Sequence, residues 1–79
     1  MKTKLKQLII EVLKINEENY SEDLEIGDIP EWDSANNVRI IQRLEEVFSI
    51  NIDISDAIEI EGIKDILILL KKYEIMEIN

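Results

Sequence analysis

Three stretches of this chain repeat aliphatic residues at intervals of three and four, and that spacing limits the folds open to it. Between Lys4 and Ile15 the repeat runs Leu5, Leu8, Ile9, Val12 and Leu13; Ile10 falls off the stripe. Between Ala35 and Phe48 it runs Val38, Ile41, Leu44 and Phe48, flanked by Ile40 and Val47, with Asn36, Arg39, Arg43 and Glu46 on the opposite face. Between Gly62 and Tyr73 it runs Ile63, Ile66, Leu67 and Leu70, continued by Tyr73, with Lys71 and Lys72 at the end where a helix favours cations. Each pattern places its apolar residues on one side of a helix that must bury them against a neighbour. With 79 residues the chain is one small domain, and without a staple its net stability is on the order of 3–5 kcal/mol.

The segment "SINIDISDAIEIEGI" departs from that period. Ile50, Ile52 and Ile54 alternate with polar residues, as do Ile58 and Ile60, and alternation is a strand signal. A hairpin turning at Ser55-Asp56-Ala57 fits the pattern, but it lacks the glycine or asparagine of tight hairpin turns and would be a lone pair of strands. A short helix with flanking loop is the alternative.

Residues 16–33 read as a loop long enough to point to function. Gly27 and Pro30 punctuate it, and Tyr20, Leu24, Ile26, Ile29 and Trp32 are candidate anchors to the core. Trp32 is read most simply as such an anchor. The loop carries eight acids and no base, so most of the net charge of −9 is concentrated there. Residues 1–15 carry +3 and residues 34–79 carry −4.

That acidity opposes binding to nucleic acid, whose phosphates it would repel, and favours basic protein partners. The chain has no cysteine, hence no disulfide or thiolate of its own, and no histidine, hence neither the usual general base nor the commonest metal ligand. A Gly-rich phosphate loop is absent, and the aspartates near 53–56 lack the spacing and central glycine of a calcium loop. No apolar run reaches the roughly 20 residues of a membrane span. The start "MKTKLKQLIIEVLKI" has a basic end and an apolar run, but Glu11 and Lys14 interrupt it and no small-residue cleavage site follows. It is read as a helix of a cytoplasmic protein.

"DIPEWDSANNVR" draws attention to Asp33 and Ser34, either of which suits the cap of the second helix. From this local pattern alone, Ser34 is a plain capping residue. The wider pattern is Leu24-x-x-x-Asp28-Ile29-Pro30-x-Trp32-Asp33-Ser34, then Val38, Ile41, Leu44-Glu45-Glu46-x-Phe48-x-Ile50-x-Ile52. It resembles that of the acyl carrier proteins, over nearly the whole chain. The resemblance implies an all-α four-helix bundle: a first helix over about 3–15, a long loop over 16–33, a second helix over about 34–48, a short third helix over about 54–60 and a last over about 62–73. It thereby favours helix over hairpin after Ile50.

The resemblance also implies a task. A phosphopantetheinyl transferase would attach 4′-phosphopantetheine from coenzyme A to Ser34, with Asp33 in support, and the arm would hold acyl or aminoacyl groups as thioesters for loading and processing enzymes. The chain would be a monomeric carrier and not a catalyst. The missing cysteine fits, because the sulfur would come from the arm. Two departures bear on partners. Ala35 stands where the family has leucine, a contact of the modifying enzyme. Asn36 and Arg39 stand where the fatty-acid carriers have acids, and Arg43 adds a further cation. Glu45 and Glu46, which the resemblance assigns to contacts with basic partner patches, are otherwise ordinary exposed helix residues. These substitutions imply a specialised carrier with its own enzymes. An unmodified carrier-like interaction or regulatory module is the alternative, and an enzyme built on paired carboxylates ranks far below both.

Overall fold

The computed structural model describes residues 2–73. Four α-helices follow one another: α1 (Lys2–Leu13), α2 (Ser34–Phe48), α3 (Ile54–Ala57) and α4 (Ile63–Lys72), with a single 3-10 turn at Glu17–Asn19. No strand forms among the described residues; one isolated antiparallel bridge pairs Glu25 with Gly62. The hairpin reading of residues 50–60 is therefore set aside. Ile50 and Ile52 are half-buried, Ile60 is buried, and Ile54 and Ile58 stand in solvent, so the alternation does not describe one sheet face.

The core joins Leu5, Leu8, Ile9 and Leu13 of α1, Ile40 and Leu44 of α2, and Ile63, Ile66, Leu69 and Leu70 of α4. Leu24 and Trp32 from the α1–α2 connection complete it, with Ile15 and Ile60. No polar or charged residue is buried among the described residues, and no buried side-chain polar atom lacks a partner. Burial of this apolar surface, at about 25 cal/mol per Å², is the main term holding so small a domain together.

Several expectations need correction. The second helix turns Ile40 and Leu44 inward, whereas Val38 is 55% exposed and Ile41 and Phe48 are only half-buried. Its buried stripe is thus rotated from the one the spacing gives. In α4 Leu69 is buried and Leu67 half-buried, a smaller shift of the same kind. The first helix stops at Leu13 instead of Ile15, and the third is four residues long.

Helix ends explain the first boundary. Lys14 takes a left-handed conformation (φ 57°), and the N–H groups of Lys14 and Ile15 both donate to the carbonyl of Ile10, at 2.8 and 3.3 Å. Ser49 closes α2 in the same way (φ 55°), with its own N–H and that of Ile50 on the carbonyl of Glu45. Glycine is the usual residue at such positions, and neither site carries one.

The α1–α2 connection is tied down near its middle. Ile26 N–H donates to the Glu61 carbonyl (2.7 Å) and Ile63 N–H to the Leu24 carbonyl (3.0 Å), which ties the connection to the start of α4. Gly62 is needed for this approach, since a Cβ there would lie 2.9 Å from the Leu24 carbonyl oxygen and 2.8 Å from Glu25 Cγ. The acids of the connection meet cations of the helices: Lys6–Glu17 at 2.8 Å, Lys64–Asp23 at 2.8 Å and Lys2–Glu22 at 3.4 Å. No helix of the described residues is long and apolar enough to cross a membrane.

Candidate functional site

The site is built from the turn that precedes α2. Gly27 adopts φ 90°, a conformation that glycine reaches without steric cost, and its N–H donates to the Trp32 carbonyl (3.0 Å). Asp28 Oδ2 accepts from the Glu25 N–H (2.8 Å). These bonds curl residues 25–32 so that Trp32 enters the core, where it is 1% exposed. The anchor reading of Trp32 holds.

A buried indole N–H needs an acceptor. Asn37 supplies it: its Oδ1 accepts from Trp32 Nε1 (2.9 Å), and its Nδ2 donates to the Ile60 carbonyl (3.1 Å). One amide thereby links the α1–α2 connection, the first turns of α2 and the chain before α4. The sequence reading missed Asn37; an asparagine five residues after a tryptophan at a helix start was the available signal.

Between these fixed points lie Asp33 and Ser34. Asp33 is extended (φ −113°, ψ −175°) and its Oδ1 accepts from the Asn36 N–H at 2.9 Å. Asp33 is therefore the cap, which the sequence left open between the two residues. Ser34 begins the helix, is exposed, and its hydroxyl bonds no described residue. The result is a free primary alcohol on the first turn of a 15-residue helix, on a backbone held by the buried Trp32.

The expected partner-facing residues are placed less uniformly. Asn36 serves the same turn: its Nδ2 donates to the Glu31 carbonyl (2.6 Å), and its Oδ1 accepts a long bond from Arg39 (3.4 Å). Glu45 is half-buried and its carboxylate accepts from the Ile52 N–H (2.9 Å), fixing the chain that leaves α2. Arg43 is bound by Glu46 (2.7 Å) and reaches across to Glu11 of α1 (3.6 Å), contacts that hold its guanidinium charged, with the Glu46 bond the largest influence. Arg39 and Glu46 are exposed.

The Asn37–Ile60 and Glu45–Ile52 bonds lie eight residues apart on α2, about 12 Å along its axis. They anchor the two ends of the segment that contains α3. Val38 (55% exposed), Ile54 (82%), Ile58 (74%) and Ile68 (67%) are the exposed large aliphatic residues among those described, and Ser34 lies one helical turn before Val38.

On its far side α3 is held by α4. Tyr73 Oη accepts from the Asp53 N–H (3.0 Å) and donates to Asp56 Oδ2 (2.8 Å), while Lys72 Nζ meets Asp56 Oδ1 (2.7 Å). Lys72 first, then Tyr73, hold the Asp56 carboxyl below its ordinary value of 3.8. A cleft of about 220 Å³ opens between α3 and α4, lined by Asp56, Glu59, Ile60, Ile68, Leu69 and Lys72 among others.

Among the described residues no group of three or more acidic side chains is placed to hold a metal ion. No protein-family profile matches the chain, and neither does any curated protein.

Proposed function

We propose that the chain is a carrier protein that takes 4′-phosphopantetheine on Ser34. The observation that carries this reading is the division of labour between Asp33 and Ser34. Asp33 caps the helix, so the Ser34 hydroxyl is left exposed, unengaged and rigidly presented. A phosphodiester at that oxygen would sit at the start of α2, where the helix field favours an anion.

The residues fit the arm as acceptor and support. Ser34 Oγ would form the bond to phosphorus as the nucleotide half of coenzyme A leaves. Its proton would pass to a base of the transferase, because this chain has no histidine to take it. Asp33 holds the turn in shape through Asn36. When attached, the arm supplies the thiol that carries acyl or aminoacyl groups as thioesters. The chain itself catalyses nothing in this scheme. It works as a cytoplasmic monomer that visits a phosphopantetheinyl transferase and then loading and processing enzymes of lipid or secondary-metabolite synthesis. The α1–α2 connection and the short α3 are the finer features of a carrier bundle under this reading, and the exposed Val38, Ile54 and Ile58 are candidate contacts for its partners.

Arg39 on α2, with Asn36 and Ala35 near Ser34, supports a specialised carrier with its own partners, since a reversed charge at a contact rejects some partners as it admits others. The exposed aliphatic residues also suit a second reading, an unmodified interaction module; Ala35 in place of leucine favours it.

Intact mass after incubation with coenzyme A, magnesium and a broad-specificity transferase separates the two. The carrier reading expects a gain of one phosphopantetheine, absent in Ser34→Ala. No gain with several transferases would leave the interaction module.

A further inference from the structure

The cations of this chain are outnumbered two to one by acids, 9 against 18, and most are paired. Lys2, Lys6, Arg43, Lys64 and Lys72 each lie within 4 Å of a carboxylate. Lys14 and Arg39 pair with no carboxylate of the described residues, and the two line the same groove between α1 and α2. Glu11 and Glu46 line the groove as well, but both are engaged by Arg43, so three cations face two acids there in a chain whose net charge is −9.

The groove has a volume of about 300 Å³. Val12 contributes its apolar wall, Gln42 a neutral amide, and Arg43 a guanidinium already shared by Glu11 and Glu46. That shared ion cluster crosses from α2 to α1. Lys14 itself takes the left-handed conformation that follows α1, a backbone state disfavoured for lysine. Among the described residues Arg39 is held by the 3.4 Å contact to Asn36, which leaves most of its planar fork available for a carboxylate.

We infer that this groove is a docking surface for an acidic segment of a partner protein, with Arg39 and Lys14 receiving carboxylates and Val12 an apolar side chain between them. Charge complementarity selects the occupant. A basic segment is drawn to residues 16–33, with eight acids, whereas an acidic one meets attraction only where cations stand unpaired. The surface lies on the α1 side of α2 and does not involve Ser34, so it stands or falls separately from the carrier reading.

The test is an amide chemical-shift titration of the ¹⁵N-labelled protein with a six-residue glutamate peptide, in parallel with inorganic phosphate. Saturable shifts centred on Val12, Lys14, Arg39 and Gln42 are expected. They should weaken about tenfold or more in the double variant Lys14→Glu/Arg39→Glu and be largely lost at about 0.5 M salt. Lys4→Glu and Ser34→Ala should leave them unchanged. Both altered positions are exposed, and an unchanged amide spectrum elsewhere would show that the variant remains folded. Shifts spread over all lysines, shifts surviving in the double variant, or no shifts at all would overturn the inference. An equal response to phosphate would overturn the assignment to a protein partner in favour of a simple anion site.

Discussion

Asn37 shows how one side chain can govern more structure than its size implies. Its amide satisfies the buried Trp32 indole and the Ile60 carbonyl, groups from segments on either side of α2. Asn37→Ala leaves both without protein partners. A buried donor or acceptor left unsatisfied costs about 1–3 kcal/mol, comparable to much of the stability of so small a domain. We expect a urea midpoint lowered by a loss of that size, with Trp32 emission shifted to the red in the native state as water reaches the indole. Unchanged emission and midpoint would mean that water replaces the amide at no cost. Asn37→Asp is the sharper comparison: it keeps the acceptor for Trp32 and loses the donor to Ile60. It should retain the emission of the parent while still losing stability.

At the scale of elements, the two left-handed helix ends are the clearest places where sequence and structure part. Periodicity located α1, α2 and α4 and most of their buried residues, because a face that must be buried leaves its period in the chain. It overran the end of α1 because Lys14 occupies a position where glycine would have marked the stop. It misjudged the face of α2 because Val38 and Ile41 are apolar yet lie off the side that packs on the core, Val38 exposed and Ile41 half-buried. In the candidate site, the exposed serine after an aspartate was legible. The choice of Asp33 as cap was not, since either residue can accept from the backbone. The engagement of Glu45 with Ile52 was also hidden, being a contact between a helix and a loop with no local signature. The helix ends give a direct prediction. Ser49→Gly relieves the left-handed strain, partly offset by the greater freedom of glycine when unfolded, and should raise stability by about 0.5–1 kcal/mol in urea denaturation. A loss instead would mean that the Ser49 side chain contributes more than its backbone costs.

The hold of α4 on α3 is an element-scale feature with a pH signature. Asp56 bonds Lys72 and Tyr73, and its carboxyl is depressed in the folded chain, Lys72 being the first cause. A depressed acid contributes stability above its unfolded value, near 3.8, and that contribution disappears as pH falls through the lower folded value. The amide of Asp53, which donates to Tyr73, reports the contact. In the parent, its hydrogen exchange, corrected for intrinsic rates, should accelerate below about pH 4 relative to amides of α1. In Asp56→Asn that step should vanish, and in Tyr73→Phe the amide should exchange fast throughout. A step that persists in Asp56→Asn would assign it to another acid.

For the whole molecule, the ion pairs pull against the net charge, and magnitudes decide which dominates. The pairs between the α1–α2 connection and the helices have side chains from 37% to 79% exposed, so each contributes at most about 1 kcal/mol and is weakened by salt. Against them stand nine uncompensated negative charges in a body whose radius of gyration is 11.5 Å. At low ionic strength the screening length, about 30 Å at 0.01 M, exceeds the molecule, so nearly every like-charge pair is felt; at about 1 M it falls to some 3 Å. The pairs at 2.8 Å lie within even that shorter length, whereas the long-range repulsion does not. Salt therefore removes more repulsion than attraction. Raising sodium chloride from about 0.01 to 0.5 M should increase stability by roughly 1 kcal/mol, a rise of about 4–8 °C in melting temperature for a chain of this size. Chloride is the salt to use, since sulfate would stabilise by exclusion from the surface whatever the charge. A melting temperature that falls with chloride would show that attraction within the ion pairs outweighs the net repulsion.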